Sequence, residues 1–331
     1  MPDDLSTLDL SRADDVAAIF RAGAASCRSA LCRVGSIDHI RAPGRLIATG
    51  DLHDNPFHLR TLIEAAGLGG GSHEVPKAQS HDSGNAEAEL APTLTTLPLG
   101  HSVTSPSHLL LHEIIHGDRL MNGMDFSYRA LARVAWLKSH HPEHVHVLLA
   151  NHELSQVMGA GIIKDGVQVV KAFDEALDFA FADQDGGAAH VREAIKEFIF
   201  ALPLALRAST PRGDILCAHS VPGAPMMARF DPTILSRDLT PEDYEPRRGS
   251  AYWMVWGREY DADQIEDLVE RWGVNMFILG HEKAEHGVRF VPPCAIVLNS
   301  DHDEGVYLPI DLSSPPRAEE AARQVVGFNP R

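Results

Sequence analysis

Residues 45–55 read RLIATGDLHDN, a short apolar run that ends in Gly50-Asp51 and places His53 two residues further on. The run has the length and composition of a buried strand, and its polar end marks where the chain leaves the core. On extended backbone, residues i and i+2 point the same way, so Asp51 and His53 can converge on one ion. The stretch that follows, NPFHLRTLIEAAGL, has Pro56 near its start and glycines after its end, the start and stop signals of a helix.

On the N-terminal side, Val16, Ile19, Phe20, Ala24, Cys27 and Leu31 fall at helical spacing, which predicts a helix over 11–33. On the other side, residues 69–107 are rich in Gly, Ser, Pro, Thr and Ala without a sustained period. They are expected to form a long flexible insertion whose histidines are bystanders. HLLLHEIIHGD (108–118) then reads as a strand, 125–141 as a helix, and HVHVLLANHE (144–153) as another strand with a polar end. Helices are expected at 171–183, 188–201 and 263–272, and strands near 203–208 and 214–219. VNMFILGH ends a strand at His281, and GVRFV, CAIVLNS and GVYLPIDL are three more short strands. The order is β-α-β early and antiparallel late, which predicts an α/β protein of two packed sheets with helices outside. The division expected is a helical extension over 1–44, one domain over 45–311, and a mobile tail over 312–331.

Composition bounds the function. With 331 residues and 44% apolar content the chain can bury a substantial core. Lys+Arg 29 against Asp+Glu 46 leaves a formal charge of -17, a surface that repels nucleic acid and anionic membrane. An anionic substrate is still compatible, because bound cations reverse the field locally. Cys27, Cys32, Cys217 and Cys294 are too few and too scattered for a disulfide scaffold, and read as reduced, packed thiols. The first fifteen residues are acidic and lack the basic and apolar regions of a leader, so a cytoplasmic location is expected.

Five strand ends carry metal-ligand residue types: Asp51 with His53, Gly117-Asp118, Asn151-His152-Glu153, Ala218-His219 and Gly280-His281. Strand ends of an α/β sheet gather at one place. A set of imidazole nitrogens and carboxylate oxygens without thiolate suits manganese, iron or zinc. A carboxylate shared by two such ions holds them ~3.5–4 Å apart, the spacing of two-metal phosphate chemistry.

Taken together, GDLHDN (50–55), GDRLMNG (117–123), ANHE (150–153), CAHS (217–220) and GH (280–281) resemble the calcineurin-like metallophosphoesterases, and within them the phosphoprotein phosphatase branch. The likeness runs over about residues 45–311. It implies a four-layer α/β/β/α sandwich of two mixed β-sheets flanked by helices. It also implies two divalent metal ions, manganese first with iron or zinc as alternatives, and phosphomonoester hydrolysis by attack of metal-bound hydroxide. The substrate implied is a phosphorylated protein or a small-molecule phosphate ester. Residue by residue, Asp51 and His53 would hold the first metal, Asp118 would bridge, and Asn151, His219 and His281 would complete the second. His152 would be the general acid and Arg237 the phosphate clamp.

GDRLMNG departs from that pattern: Met121 and Asn122 stand where the family has an Asp that orients the general-acid His and a phosphate-binding Arg. Arg119 or Arg258 would then replace the lost phosphate contact, with Asn122 as a neutral donor. Glu113, with His112 and His116 nearby, is the rival to Asp118 as bridging ligand. The preference for Asp118 rests on the Gly-to-Gly spacing of 117–123, with His112 and His116 read as strand side chains. His286 is expected to be structural, His302 to border the site, Trp253 and Trp256 to pack, and His140, His141, His144 and His146 to lie on the surface. Two other functions fit the same ligands: a dinucleoside polyphosphate or nucleotide hydrolase, and a metal-binding pseudophosphatase that recognises phosphorylated partners.

Overall fold

The computed structural model describes residues 8–68 and 106–328, together with Leu5. Two sheets form its centre. The larger has seven strands in the order β1 (Arg33–Val34), β2 (Ile37–Arg41), β8 (Ala205–Thr210), β9 (Gly213–Ala218), β10 (Met276–Leu279), β12 (Ala295–Leu298) and β11 (Val288–Val291). The other has five, in the order β14 (Val326–Gly327), β13 (Val306–Asp311), β3 (Arg45–Thr49), β4 (Ser107–His112) and β5 (Val145–Leu148). Both are mixed: β3, β4 and β5 run parallel, while β13 runs antiparallel to β3. The hairpin β6 (Ile163–Lys164) and β7 (Val167–Gln168) stands apart as a two-stranded ribbon.

β5, β10 and β12 are buried along their whole length, which is why β10 and β12 are continuous apolar runs rather than alternating ones, while β5 is interrupted only by His146. The helix Ala13–Ser29 buries Val16, Phe20, Ala24 and Cys27, with Phe20 against Phe198 at a ring separation of 5.9 Å. The helices Tyr128–His140 and Gly187–Ile199 complete that layer. The two sheets are also tied by charge. Asp38 of β2 accepts from His146 Nδ1 of β5 at 2.8 Å and from Arg33 Nε at 2.7 Å, with Lys138 Nζ at 4.0 Å.

Several expectations change here. The strand expected over 108–118 ends at His112, and Glu113 to Gly117 form a loop even though Ile114 and Ile115 are buried. β2 adds a parallel strand beside β8, so residues 37–41 belong to the larger sheet. The last segment is docked, not loose, among its described residues: Ala318–Ala321 is helical, β14 pairs with β13, and Phe328 stacks on His58 at 3.9 Å. His146 is buried in the Asp38 network and His108 reaches it at 3.1 Å, so His146 is not a surface residue; His140 is exposed, while His141 and His144 are half-buried. The insertion expected over 69–107 lies, except for Pro106 and Ser107, outside the described residues. No helix among the described residues is long and apolar enough to cross a membrane.

Candidate metal and phosphate site

The carboxyl ends of β3, β4, β5, β9 and β10 meet where the two sheets converge. Gly50 marks the convergence, since a Cβ there would lie 2.0 Å from the Leu298 carbonyl oxygen. Asp51 just beyond it bridges to His112 and Asn299. Gly280 is equally constrained, because a Cβ would strike His112 and Asp51 at 2.3 and 2.5 Å. His53, Asp54, Glu113, His116 and His281 all adopt positive φ, between 44° and 67°. Left-handed backbone at non-glycine residues is costly, and its concentration at one place marks a site held by its surroundings.

Glu113 stands at the centre. Its Oε1 is 3.1 Å from His53 Nε2 and 3.8 Å from His152 Nε2, and its Oε2 is 3.0 Å from His219 Nε2. His219 Nε2 is also 2.7 Å from Asn151 Oδ1 and 3.1 Å from His281 Nδ1. The protons follow from the neighbours. His112 Nε2 donates to the Thr49 carbonyl, so its Nδ1 is bare and accepts from His219 Nδ1 at 3.0 Å. That turns His219 Nε2 toward Glu113; burial works against charge on this ring, yet Glu113 and Asp51 outweigh it and raise it. His53 donates from Nδ1 to the Ile115 carbonyl at 2.9 Å, which turns its Nε2 toward Glu113. Each ligating ring is thus oriented through its other nitrogen.

This donor set fits a cation. Glu113 Oε2, Asn151 Oδ1 and His281 Nδ1 gather around His219 Nε2 at 3.0, 2.7 and 3.1 Å, and Glu113 Oε2 and His281 Nε2 are buried without a hydrogen-bond partner among the described residues. Glu113, His219 and His281 form one candidate ion group, and His53, Glu113 and His152 lie close enough for a second. Asp51 completes the acidic side, its carboxylate accepting from the His281 peptide N–H at 2.9 Å. Burial and the Glu113 charge push Asp51 up to about 6. Burial works against charge on His53, yet the Glu113 carboxylate outweighs it and raises the imidazole to about 9. An ion there must displace that proton, so affinity is expected to rise with pH up to about 9 and to level above it. Titration calorimetry with Zn²⁺ or Mn²⁺ from pH 6 to 9.5 would measure this, and affinity independent of pH would count against it.

Asp118 is elsewhere. Its side chain is 75% exposed and pairs with Lys164 Nζ at 3.0 Å at the rim of the cleft. The reason lies in the strand that ends at His112: Glu113 is the first residue past it, and five loop residues carry Asp118 outward. Arg237 is likewise displaced from its expected role. Its guanidinium is held by Asp231 and Asp243, at 2.6 and 2.7 Å, and does not line the cleft. Arg119 donates to the Asp54 carbonyl, and Asn122 sits in the exposed turn 121–124; neither lines the cleft. Arg258 does line it, with Lys164, Lys283 and His302. Trp256 also faces the cleft, edge-on to His281 at 6.0 Å, whereas Trp253 packs inside. His286 pairs with Glu304 at 2.7 Å, away from these ligands. The cleft encloses about 620 Å³.

No protein-family model matches the sequence, and no curated protein does. Among solved structures the chain is similar to a protein serine/threonine phosphatase from Saccharomyces cerevisiae. That likeness has 15% identity and a TM-score of 0.58, covering 90% of this chain and 82% of that one. A cold-active protein-tyrosine phosphatase of a psychrophilic Shewanella shows 12% identity and a TM-score of 0.47, over 82% and 77% of the two chains. The yeast likeness shows the fold alone, which in this chain is two mixed sheets flanked by helices.

Proposed function

We propose that this chain is a dinuclear-metal phosphoesterase that hydrolyses phosphomonoesters, with a phosphorylated Ser or Thr side chain as the first substrate class. The observation that carries the reading is the buried Glu113 carboxylate, flanked by His53 on one oxygen and by His219 on the other. In this reading Glu113, not Asp118, is the shared ligand. Asp51 and His53 would hold one ion with it, and Asn151, His219 and His281 would hold the other. Bound there, two divalent ions would supply electrophilic activation of the phosphoryl group and of water.

The chain's own side chains do the rest. His152 Nε2 faces the ligand cluster beside Glu113 and protonates the leaving alkoxide. Burial lowers its basicity to about 4, so the resting imidazole is neutral and must take up a proton before it gives one. Arg258 and Lys164, two of the cations on the cleft wall, replace Arg237 as the groups that neutralise phosphate. Glu153 accepts from the peptide N–H groups of Ile114 and Ile115 at 2.7 and 3.2 Å, fixing the loop that presents Glu113.

The test loads the protein with Mn²⁺ and assays p-nitrophenyl phosphate, a phosphoserine peptide and a dinucleoside polyphosphate side by side. Turnover of the first two supports the proposal. Preference for the dinucleotide moves the reading to a nucleotide hydrolase, for which Trp256 is the available stacking surface. Binding of both ions without hydrolysis of any ester leaves a pseudophosphatase. Arg258→Ala is expected to raise KM about tenfold, the loss of one charge-assisted contact, while Arg237→Ala leaves KM within about twofold. The reverse pattern would return the clamp to Arg237.

A further inference from the structure

The role of His152 rests on the phosphoesterase reading: the acid there is the imidazolium, with Nδ1–H held from behind and Nε2 facing the cleft to take up a proton and then give it to the leaving alkoxide. Met121 and Asn122 occupy the segment from which the resemblance would draw an orienting Asp, and Met121 is 58% exposed. A different group meets His152 from behind. His116 Nδ1 lies 2.9 Å from His152 Nδ1, and His116 Nε2 lies 3.0 Å from Gln156 Oε1. Gln156 Nε2 in turn donates to Asp174 Oδ1 at 3.2 Å, which Arg192 Nε also reaches at 3.0 Å.

One carboxylate sets every proton in this chain. Asp174 can only accept, so the Gln156 amide turns its NH₂ outward and its oxygen toward His116. That oxygen can only accept, so His116 carries its proton on Nε2 and leaves Nδ1 bare. His152 must then donate from Nδ1, and its Nε2 is left to face Glu113 Oε1. His116 itself is immobile: it is fully buried, its peptide N–H donates to Ser127 Oγ at 3.1 Å, and its ring stands edge-on to Phe173 at 5.7 Å. His152 and Gln156 are four apart on the helix Asn151–Met158, so both reach the same neighbour from one face.

We propose that His116, anchored by Gln156 and Asp174, is the positioning residue that fixes the tautomer and direction of His152. A neutral imidazole does this without adding a further negative charge beside Asp51, Glu113 and Glu153.

The experiment uses ¹⁵N-histidine-labelled, zinc-loaded protein and long-range ¹H–¹⁵N spectra, with kinetics on the manganese form. Wild type and His116→Asn are expected to show His152 protonated at Nδ1, since an Asn oxygen stands where the His Nδ1 stood. His116→Phe is expected to shift His152 toward the Nε2–H tautomer with metal content unchanged. Gln156→Leu, which leaves His116 in place without its anchor, is expected to show the same shift and serves should the Phe variant not fold. In the same variants kcat for an alkyl phosphate should fall by about 30-fold or more, against about threefold for p-nitrophenyl phosphate, because the His152 imidazolium then has no acceptor for its Nδ1–H and only the poor leaving group needs the acid. KM should stay unchanged, and His116→Phe should add less than about twofold to His152→Asn. An unchanged His152 tautomer in both His116→Phe and Gln156→Leu would overturn the proposal, as would equal losses for good and poor leaving groups. A wild type with the Nδ1–H tautomer that hydrolyses no ester would instead sink the phosphoesterase reading and leave the positioning role standing.

Discussion

Glu113→Gln is expected to abolish binding of at least one ion and to lower kcat by about 10³-fold or more, whereas Asp118→Asn changes either by less than about threefold. The asymmetry follows from where the two carboxylates sit. Glu113 is buried and shared between the His53 and His219 nitrogens, so a neutral amide in its place removes the carboxylate charge between them and turns an N–H toward one of them. Asp118 is solvated and already paired with Lys164, where Coulomb energy is small. Metal content after gel filtration, together with kcat and KM, measures both variants. Loss of metal in Asp118→Asn with retention in Glu113→Gln would restore the assignment drawn from motif spacing alone.

The second large effect concerns stability. Asp38→Ala should cost about 3–5 kcal/mol, because it leaves Arg33, Lys138 and His146 in the interior without their shared anion. Burial alone would raise the Asp38 carboxyl, but His146, Arg33 and Lys138 outweigh it and hold it well below the usual range. The sign follows: a depressed pKa adds stability that is complete above about pH 4, the unfolded value, and is lost as pH falls through the folded one. Urea unfolding at pH 7 and again at pH 3 would read this. The difference between wild type and variant should be large at pH 7 and smaller at pH 3. A difference below about 1 kcal/mol at pH 7 would mean that water reaches the cations and the network contributes little.

Much of this was legible in the chain. The runs RLIAT, HVHVLL, DILCA and MFIL read as strands because each is short and mostly apolar, and their polar ends pointed to Asp51, Asn151, His152, His219 and His281. The structure brings those residues and His53 together. The misreading of LHEIIHGD has a specific cause. Ile114 and Ile115 continue the apolar pattern past the end of β4, and burial in a loop has the same composition as burial in a strand. Only the bridge from Asp51 to His112 fixes the register that makes Glu113 the residue at the site.

Arg237 was lost for a different reason. Asp231 and Asp243 lie six residues to either side of it, and the Thr240–Asp243 capping box folds the second one back onto the guanidinium. That pair of acids was visible in the sequence as a competing partner for the arginine. His116 carried no such local signal. Its partners His152 and Gln156 come from another segment, although their i, i+4 spacing marks a helix face that would hold one common neighbour.

The most direct test of the account is anomalous diffraction from crystals of the Mn²⁺-loaded protein, collected at the manganese edge. The account expects two peaks on either side of the Glu113 carboxylate, one bounded by Asp51 and His53, the other by Asn151, His219 and His281. A single peak, or an ion ligated by Asp118 with Glu113 turned away, would contradict it.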